Sequence, residues 1–408
     1  MPSRFRVYGS ADIFIVLLVV WFLVVAKLPA YAQTYQVLHF FAGPTSDGVI
    51  PNVIVKGGNG TIFGSTCYGG LSYNGIAYEL SPAGKETILY NFNAGYGACP
   101  YSLFAWKGEF YGTAGGGAYR DGVLFKLDLR GNEVVLYNFS PSTTAGIGPG
   151  LGFQNSAGLL YGTTARGGSN GSGTVFTADT FGKVTVIYNF PASDTQGSSV
   201  SGLVSDENGN LYGTTLYNGS LTCNLGCGTV FKLDAARNFT VLYSFTGGAG
   251  GAYPSGLIRD PEGNFYGITF EGGTCVLTNC GTVFKLDPSG NLTTLYSFTG
   301  FPDGLFPTGN IVRDASGNLY GTTFDGGLAH CDGFNYGGCG ILFKIDPSGK
   351  ETIVHTFTGA SGGDGANGGF LLLDATGTIF GTTIGGGQEL NCPLGGYGGC
   401  GTLFQLTP

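Results

Sequence analysis

The sequence predicts an all-β, seven-bladed β-propeller of four-stranded antiparallel blades, and three observations carry that expectation. The motif Leu-Tyr-Gly-Thr-Thr, or a close variant, recurs seven times, with its glycine at Gly64, Gly112, Gly162, Gly213, Gly267, Gly321 and Gly381 and gaps of 48, 50, 51, 54, 54 and 60 residues. Each copy holds four short runs rich in β-branched and aromatic residues, separated by glycine-rich or Asp/Asn-rich turn signals, which is the pattern of an antiparallel meander. The seventh copy is one strand short, and a matching strand stands alone near the start of the chain. Seven four-stranded copies at this period read as the blades of a ring.

Residues 1–32 stand outside the repeats. Arg4 and Arg6 precede the apolar run Ile13–Ala26, and Ala30-Tyr31-Ala32 supplies a small-x-small pattern. These features predict a secretory signal peptide cleaved after Ala32, which leaves 33–408 as a single propeller domain. The competing reading is an uncleaved signal anchor, because the run is short for a span but is followed by Lys27. No second long apolar run follows, so no membrane span is expected after signal removal. The expected location is secreted, periplasmic or cell-surface.

Blade 4 defines the unit, with strands A (Gly202–Ser205), B (Leu211–Thr215), C (Thr229–Leu233) and D (Thr240–Phe245). The other A strands are expected at Asn52–Val55, Ser102–Ala105, Gly150–Phe153, Gly256–Arg259, Asn310–Arg313 and Phe370–Leu373. Tyr35–Phe40 matches a D strand but has no A, B or C before it, whereas the last copy has A, B (Ile379–Thr383) and C (Thr402–Leu406) but no D. The N-terminal segment is therefore expected to complete the last blade and close the ring. The A–B turns Asp206–Asn210, Asp260–Asn264 and Asp314–Asn318, and the C–D turns Asp287–Asn291 and Asp346–Lys350, place Asp to accept backbone N–H bonds and Gly at positive φ. They lack the alternating carboxylates of a calcium loop and read as turns.

The series LYGTT, GTVFKL, TVLYSF and GNLYGTT resembles the GloVer repeat, a tandem repeat of exported bacterial proteins named for Gloeobacter and Verrucomicrobia. The match stands at Leu211–Thr215 with Gly228–Leu233 and Val241–Phe245, and at Leu319–Thr323 with Gly340–Ile345, and the frame extends over Tyr35–Leu406. Blade 1 departs most, with Ile62-Phe63-Gly64-Ser65-Thr66 and Gly75-Ile76-Ala77-Tyr78, and blade 3 has Thr177-Ala178 in place of the usual Lys-Leu. The resemblance implies a secreted repeat protein, often tethered to the cell envelope, and implies no activity.

Composition agrees with an exported all-β chain. Glycine is 77 of 408 residues and charged residues are only 11%, but a 42% hydrophobic share in regular strand patterns argues against disorder. A net charge of -8 leaves no basic stripe to neutralise phosphates, so nucleic acid is not an expected partner. Cys227, Cys280, Cys339 and Cys400 each precede the glycine that opens strand C, and Cys223, Cys275, Cys331 and Cys392 lie earlier in the same B–C loops. Cys67 follows strand B of blade 1, and Cys99 lies in its D–A connection. Within-loop proximity predicts the disulfides 223–227, 275–280, 331–339 and 392–400, and elimination adds 67–99. Zinc is the rival for the near-zinc spacing of Cys223 and Cys227, but the pairs sit in different blades.

A meander puts the A–B and C–D turns on one rim and the B–C and D–A connections on the other. The second rim carries all ten cysteines, the longest insertions and Tyr68, Tyr73, Tyr96, Tyr119, Tyr217, Tyr253, Phe334, Tyr336 and Tyr397. Variable loops on a rigid scaffold are where recognition concentrates. Taken singly, such tyrosines also serve to pack their own loops. The candidate ligand-binding residues are Glu271, Asp303, Asp325, His330, Tyr336 and Asp364, on blades 5–7. His39 and His355 replace a D-strand tyrosine and read as structural, and strand A has no carboxylate in its body. No catalytic, cofactor or metal residue is assigned. The expected function is a secreted binding or interaction module whose partner is a polysaccharide or an envelope protein. The alternatives are a purely structural surface repeat and an extracellular polysaccharide hydrolase or lyase.

Overall fold

Each repeat folds into one antiparallel sheet of four strands in a computed structural model that describes residues 33–43, 47–141, 144–192, 198–220, 222–223, 226–275, 279–328, 337–359, 365–387, 392 and 399–408. The A strands line the centre, each packs on the next, and the seventh packs on the first, so the seven sheets form a closed propeller. Blade 4 runs Ser198–Ser205, Leu211–Tyr217, Thr229–Leu233 and Phe239–Ser244. Blade 7 takes three strands from the C-terminal end, Ala366–Leu373, Ile379–Gly385 and Thr402–Thr407. Its fourth is Thr34–Phe40, antiparallel to Thr402–Thr407 with Tyr35 opposite Leu406 and Val37 opposite Phe404. The N-terminal strand closes the ring. Among the described residues no helix is long and apolar enough to cross a membrane.

The repeated glycine is explained by what faces it. In every blade it stands directly opposite the third residue of strand C: Tyr78 in blade 1, then Phe125, Phe176, Phe231, Phe284, Phe343 and Phe404. All seven rings are buried. A methyl group at Gly213 would stand 2.7 Å from Cζ of Phe231, and one at Gly267 2.6 Å from Cζ of Phe284, so only glycine admits the ring. The last threonine of the motif then ties B to C, as where Thr215 Oγ1 lies 2.8 Å from Thr229 Oγ1 and accepts the Thr229 N–H at 3.0 Å. The motif is a packing device first.

Blades join at the loop rim through a second repeated device. Ile50, Cys99, Gly148, Ser199, Tyr253, Phe306 and Asn367, one at the start of each A strand, all have φ between 48° and 64°. Six of these residues are not glycine, and a left-handed backbone costs each on the order of 1–2 kcal/mol. What the conformation secures is a bond to the preceding blade. The N–H groups of Ile50, Tyr253 and Phe306 donate at 2.9 Å to the carbonyls of Cys400, Cys227 and Cys280, and that of Asn367 donates at 2.7 Å to Cys339. The cysteine ahead of the C-strand glycine thus carries the accepting carbonyl, and its disulfide holds that carbonyl in place. Cys223–Cys227, Cys275–Cys280 and Cys392–Cys400 are bonded, and Cys339 is bonded too, its expected partner Cys331 lying outside the described residues. Cys67 pairs with Cys99, which lies inside strand A of blade 2 (Ala98–Trp106) rather than in a connection. The A strands start several residues earlier than the sequence pattern shows, because pairing continues beyond the left-handed residue. This disulfide therefore crosses between blades.

On the outer face, a residue at the start of a D strand meets the ring position of the D strand of the blade before it. Phe239 stacks on Tyr188 with centroids 5.0 Å apart, and Tyr35 on His355 at 3.7 Å. In three seams the residue at that position is a glutamate: Glu86, Glu133 and Glu351, each with one carboxylate oxygen buried and without a hydrogen-bond partner. Tyr90 donates to Glu133 at 3.3 Å, but burial outweighs this bond and pushes the carboxyl up to about 7. Burial and then the charge of Asp303 push Glu351 up to about 7 as well.

Two expectations follow from this packing. Gly213→Ala should destabilise the protein by about 1–3 kcal/mol through overpacking against Phe231. Urea unfolding of Gly213→Ala/Phe231→Leu should show a loss smaller than the sum of the single losses, and additive losses would contradict the contact. The seam glutamates hold their protons more tightly folded than unfolded, so their contribution is full below about pH 4.5 and is lost as pH rises to about 7. Glu133→Gln/Glu351→Gln should flatten the fall in stability between those two values; an unchanged slope would exclude these residues as its source.

Candidate functional site

The B–C and D–A connections build one rim, and the exposed tyrosines among the described residues all lie on it. They are Tyr68, Tyr73, Tyr96, Tyr101, Tyr119 and Tyr217, with 37% to 59% of their surface accessible. Five belong to blades 1 and 2. The Cys67–Cys99 bond fixes two of them, since Tyr68 follows Cys67 at the end of strand B (Ile62–Gly69) and Tyr101 lies two residues beyond Cys99. Burial, and secondarily the neighbouring Tyr68, push the Tyr101 phenol above its ordinary range. The strands beneath Tyr68 and Tyr101 are further tied by the inter-blade bond from Cys99 N–H to Asn74 O at 2.9 Å.

A concavity of about 330 Å³ opens on the same rim between blades 4 and 5, lined by Thr222, Cys223, Tyr253, Glu271 and Asn279 among others. Asn279 donates its amide to Glu271 at 3.2 Å, and Tyr253 meets Tyr217 edge-on at 5.9 Å. It offers an aromatic surface, a carboxylate and an amide within one pocket. Glu271 stands here, at the end of strand B of blade 5 (Phe265–Glu271) rather than after it.

The other sequence candidates have different surroundings. Asp303 is buried, and its carboxylate accepts from Tyr296 Oη at 3.0 Å, from Thr299 N–H and Oγ1 at 2.9 and 3.0 Å, and from Gly304 N–H at 2.7 Å. Those donors fasten its own connection, which leaves the group committed to the fold. Asp325 lies inside strand B of blade 6 (Leu319–Gly326), and burial pushes its carboxyl up to about 6. Neither residue lines the pocket that holds Glu271. His330, Tyr336 and Asp364 lie outside the described residues.

The central channel forms a cavity of about 680 Å³ walled by A-strand residues such as Val55, Phe104, Ile258, Val312 and Leu372, with Arg259 and Arg313 at the tight-turn end. Among the described residues lining it there is no carboxylate. Glycoside hydrolysis needs two, roughly 5–9.5 Å apart across the scissile bond. The turn carboxylates below the channel serve their own turns: Asp206 accepts from Asn208 and Asn210 N–H at 3.0 and 2.9 Å, and from Tyr212 Oη at 3.0 Å.

One cluster escaped the sequence reading. His39 Nε2 lies 3.2 Å from Asp47 Oδ2 and 3.7 Å from Glu86 Oε2, and the ligand atoms of the three lie within 4.8 Å of one another. Among the described residues it is the one group of three with metal-binding donors so placed. Asp47 also accepts from Ala42 N–H at 2.9 Å and Gly48 N–H at 2.6 Å. Burial and then the Asp47 charge push Glu86 up to about 9. Burial opposes ionisation of Asp47, but the bonds from His39 and the two backbone N–H groups outweigh it and hold that carboxyl below its usual value. The signal was present in the repeat frame: the glutamate at the start of one D strand faces the ring position of the D strand before it.

Solved structures with this architecture are distant in sequence. The extracellular domain of a one component system of B. thetaiotaomicron matches with a TM-score of 0.55 at 10% identity, over 91% of this chain and 40% of that one. PorZ, an essential surface component of the type-IX secretion system of Porphyromonas gingivalis, matches with a TM-score of 0.51 at 13% identity, over 90% of this chain and 47% of that one. This chain thus spans less than half the length of either, and at these identities the likeness is one of fold. No curated protein matches the sequence. The Gloeobacter/Verrucomicrobia repeat matches residues 24–223 and 149–394, which together cover the propeller from its closing strand into blade 7. With the repeat frame, the seven blades and this match in agreement, the chain belongs to the Gloeobacter/Verrucomicrobia repeat family.

Proposed function

We propose that this protein is an exported binding module that holds a carbohydrate, of the cell envelope or of its surroundings, on the B–C/D–A rim without chemically altering it. The observation that carries this reading is the gathering of exposed tyrosines on that one rim, most of them on blades 1 and 2, together with a separate pocket between blades 4 and 5 that pairs Tyr253 with Glu271 and Asn279. Aromatic faces cover the apolar side of a sugar ring, and carboxylate and amide groups bond its hydroxyls. The rim of blades 1, 2 and 4–5 replaces blades 5–7 as the centre of the proposed site, with His330, Tyr336 and Asp364 assigned to its continuation on blades 6 and 7. The described residues that wall the channel include no carboxylate, which supports binding over hydrolysis.

Export is part of the proposal. The cysteines among the described residues are disulfide-bonded, and disulfides persist in oxidising compartments. A signal peptide at residues 1–32, cleaved after Ala32, would deliver the chain there. The two fold relatives, an extracellular domain and a bacterial surface component, are consistent with that placement.

A glycan array probed with the purified protein tests the function. For a hit, Tyr68→Ala or Glu271→Gln should weaken binding at least about tenfold, which corresponds to 1.4 kcal/mol, and which of the two does so assigns the ligand to blades 1–2 or to the blade 4–5 pocket. No bound polysaccharide, or binding untouched by both substitutions, would favour the structural repeat. Release of new reducing ends from a bound glycan would favour the hydrolase.

A further inference from the structure

We propose that His39, Asp47 and Glu86 bind a divalent transition-metal ion of the Zn²⁺ type at the seam that closes the ring. His39 comes from the N-terminal strand that completes blade 7, Asp47 from the connection leading into blade 1, and Glu86 from the outer strand of blade 1. An ion there ties the last blade to the first.

The geometry fits such an ion. Around a tetrahedral centre with bonds of roughly 2.0–2.2 Å, ligand atoms stand about 3.3–3.6 Å from one another. The imidazole nitrogen lies 3.2 Å from Asp47 Oδ2 and 3.7 Å from Glu86 Oε2. Asp47 is oriented by the backbone N–H groups of Ala42 and Gly48. Glu86 turns Oε2 toward the imidazole, so both carboxylates converge on the one nitrogen donor. A metal ion there would displace the proton that the two carboxyl groups otherwise share and would be held by both of them and by the imidazole. The His39 and Glu86 side chains keep 16% and 13% of their surface accessible, which leaves a way in.

Comparison with the other seams isolates the unusual feature. At the seam between blades 5 and 6 the ring residue is Tyr296, whose hydroxyl donates to Asp303 at 3.0 Å, and Glu351 takes the place of Glu86. At the next seam His355 is present, but Tyr35 stacks on it where a glutamate would stand. The closing seam combines an imidazole with both carboxylates. A nitrogen donor beside two carboxylates selects Zn²⁺ or a neighbouring transition metal over Ca²⁺, which prefers oxygen ligands alone.

The test uses the disulfide-intact protein, made without a histidine tag and stripped with a chelator. Titration calorimetry with ZnCl₂ should find one site per chain, and saturating Zn²⁺ should raise the Tm by roughly 3–5 °C while Ca²⁺ leaves it unchanged. His39→Tyr installs the residue that stands at Tyr90 and Tyr296, so it is expected to fold, and it should weaken Zn²⁺ binding more than tenfold and abolish the Tm rise. Glu86→Gln should do the same. Absence of Zn²⁺ binding by the wild type would overturn the proposal, as would binding that His39→Tyr and Glu86→Gln leave intact. A Glu86→Gln variant that gains stability in a protein indifferent to Zn²⁺ would also overturn it, because a shared proton would then be the cation.

Discussion

A ring of blades has no natural end, and closure is the constraint on which the rest of this structure depends. Each sheet buries one face on the blade before it and one on the blade after, so an unclosed ring would expose two apolar faces and a sheet edge. The seven-residue strand Thr34–Phe40 meets that requirement three times over. Its backbone pairs with Thr402–Thr407 of blade 7, Tyr35 stacks on His355 of blade 6, and His39 faces Glu86 of blade 1. Two further contacts cross the same junction at opposite rims: Ile50 N–H donates to Cys400 O at 2.9 Å on the loop side, and Lys56 pairs with Asp374 on the turn side.

Within each blade the dominant constraint is the close approach of the strand C ring to a glycine on strand B. Because the two residues are opposite partners in the ladder, the pair fixes register as well as packing. A slip by one residue would put a side chain where no Cβ fits. Blade 1 shows the device varied, since Tyr78 takes the phenylalanine position and its buried hydroxyl has no partner. The same blade departs most from the repeat in sequence, and it contributes Glu86 to the closing seam and Tyr68 and Tyr73 to the rim. The departures from the repeat gather at this seam and rim, while the scaffold stays constant elsewhere.

The legible part of the fold was the part written in local pattern. The motif glycines, the Asp-x-x-Gly-Asn turns and the split last blade each declare themselves within a few residues, and the ring, its closure and the cysteine pairings within loops follow. The seams were not legible in this way. His39 and Glu86 belong to different blades, and their meeting shows only when one repeat is laid over the next. Asp303 looked like a free rim carboxylate because its four donors, three from its own folded connection and one from the strand before it, are announced by no spacing rule. Cys99 looked like a loop residue because strand A continues past a left-handed residue, where a propensity reading would stop it.

Amide hydrogen exchange of the native protein tests closure most directly. If Thr34–Phe40 is an integral strand, its amides should exchange as slowly as those of Thr402–Thr407 and open with them in a single cooperative step. Exchange of Thr34–Phe40 orders of magnitude faster, in the manner of a frayed terminus, while Thr402–Thr407 stays protected, would contradict it.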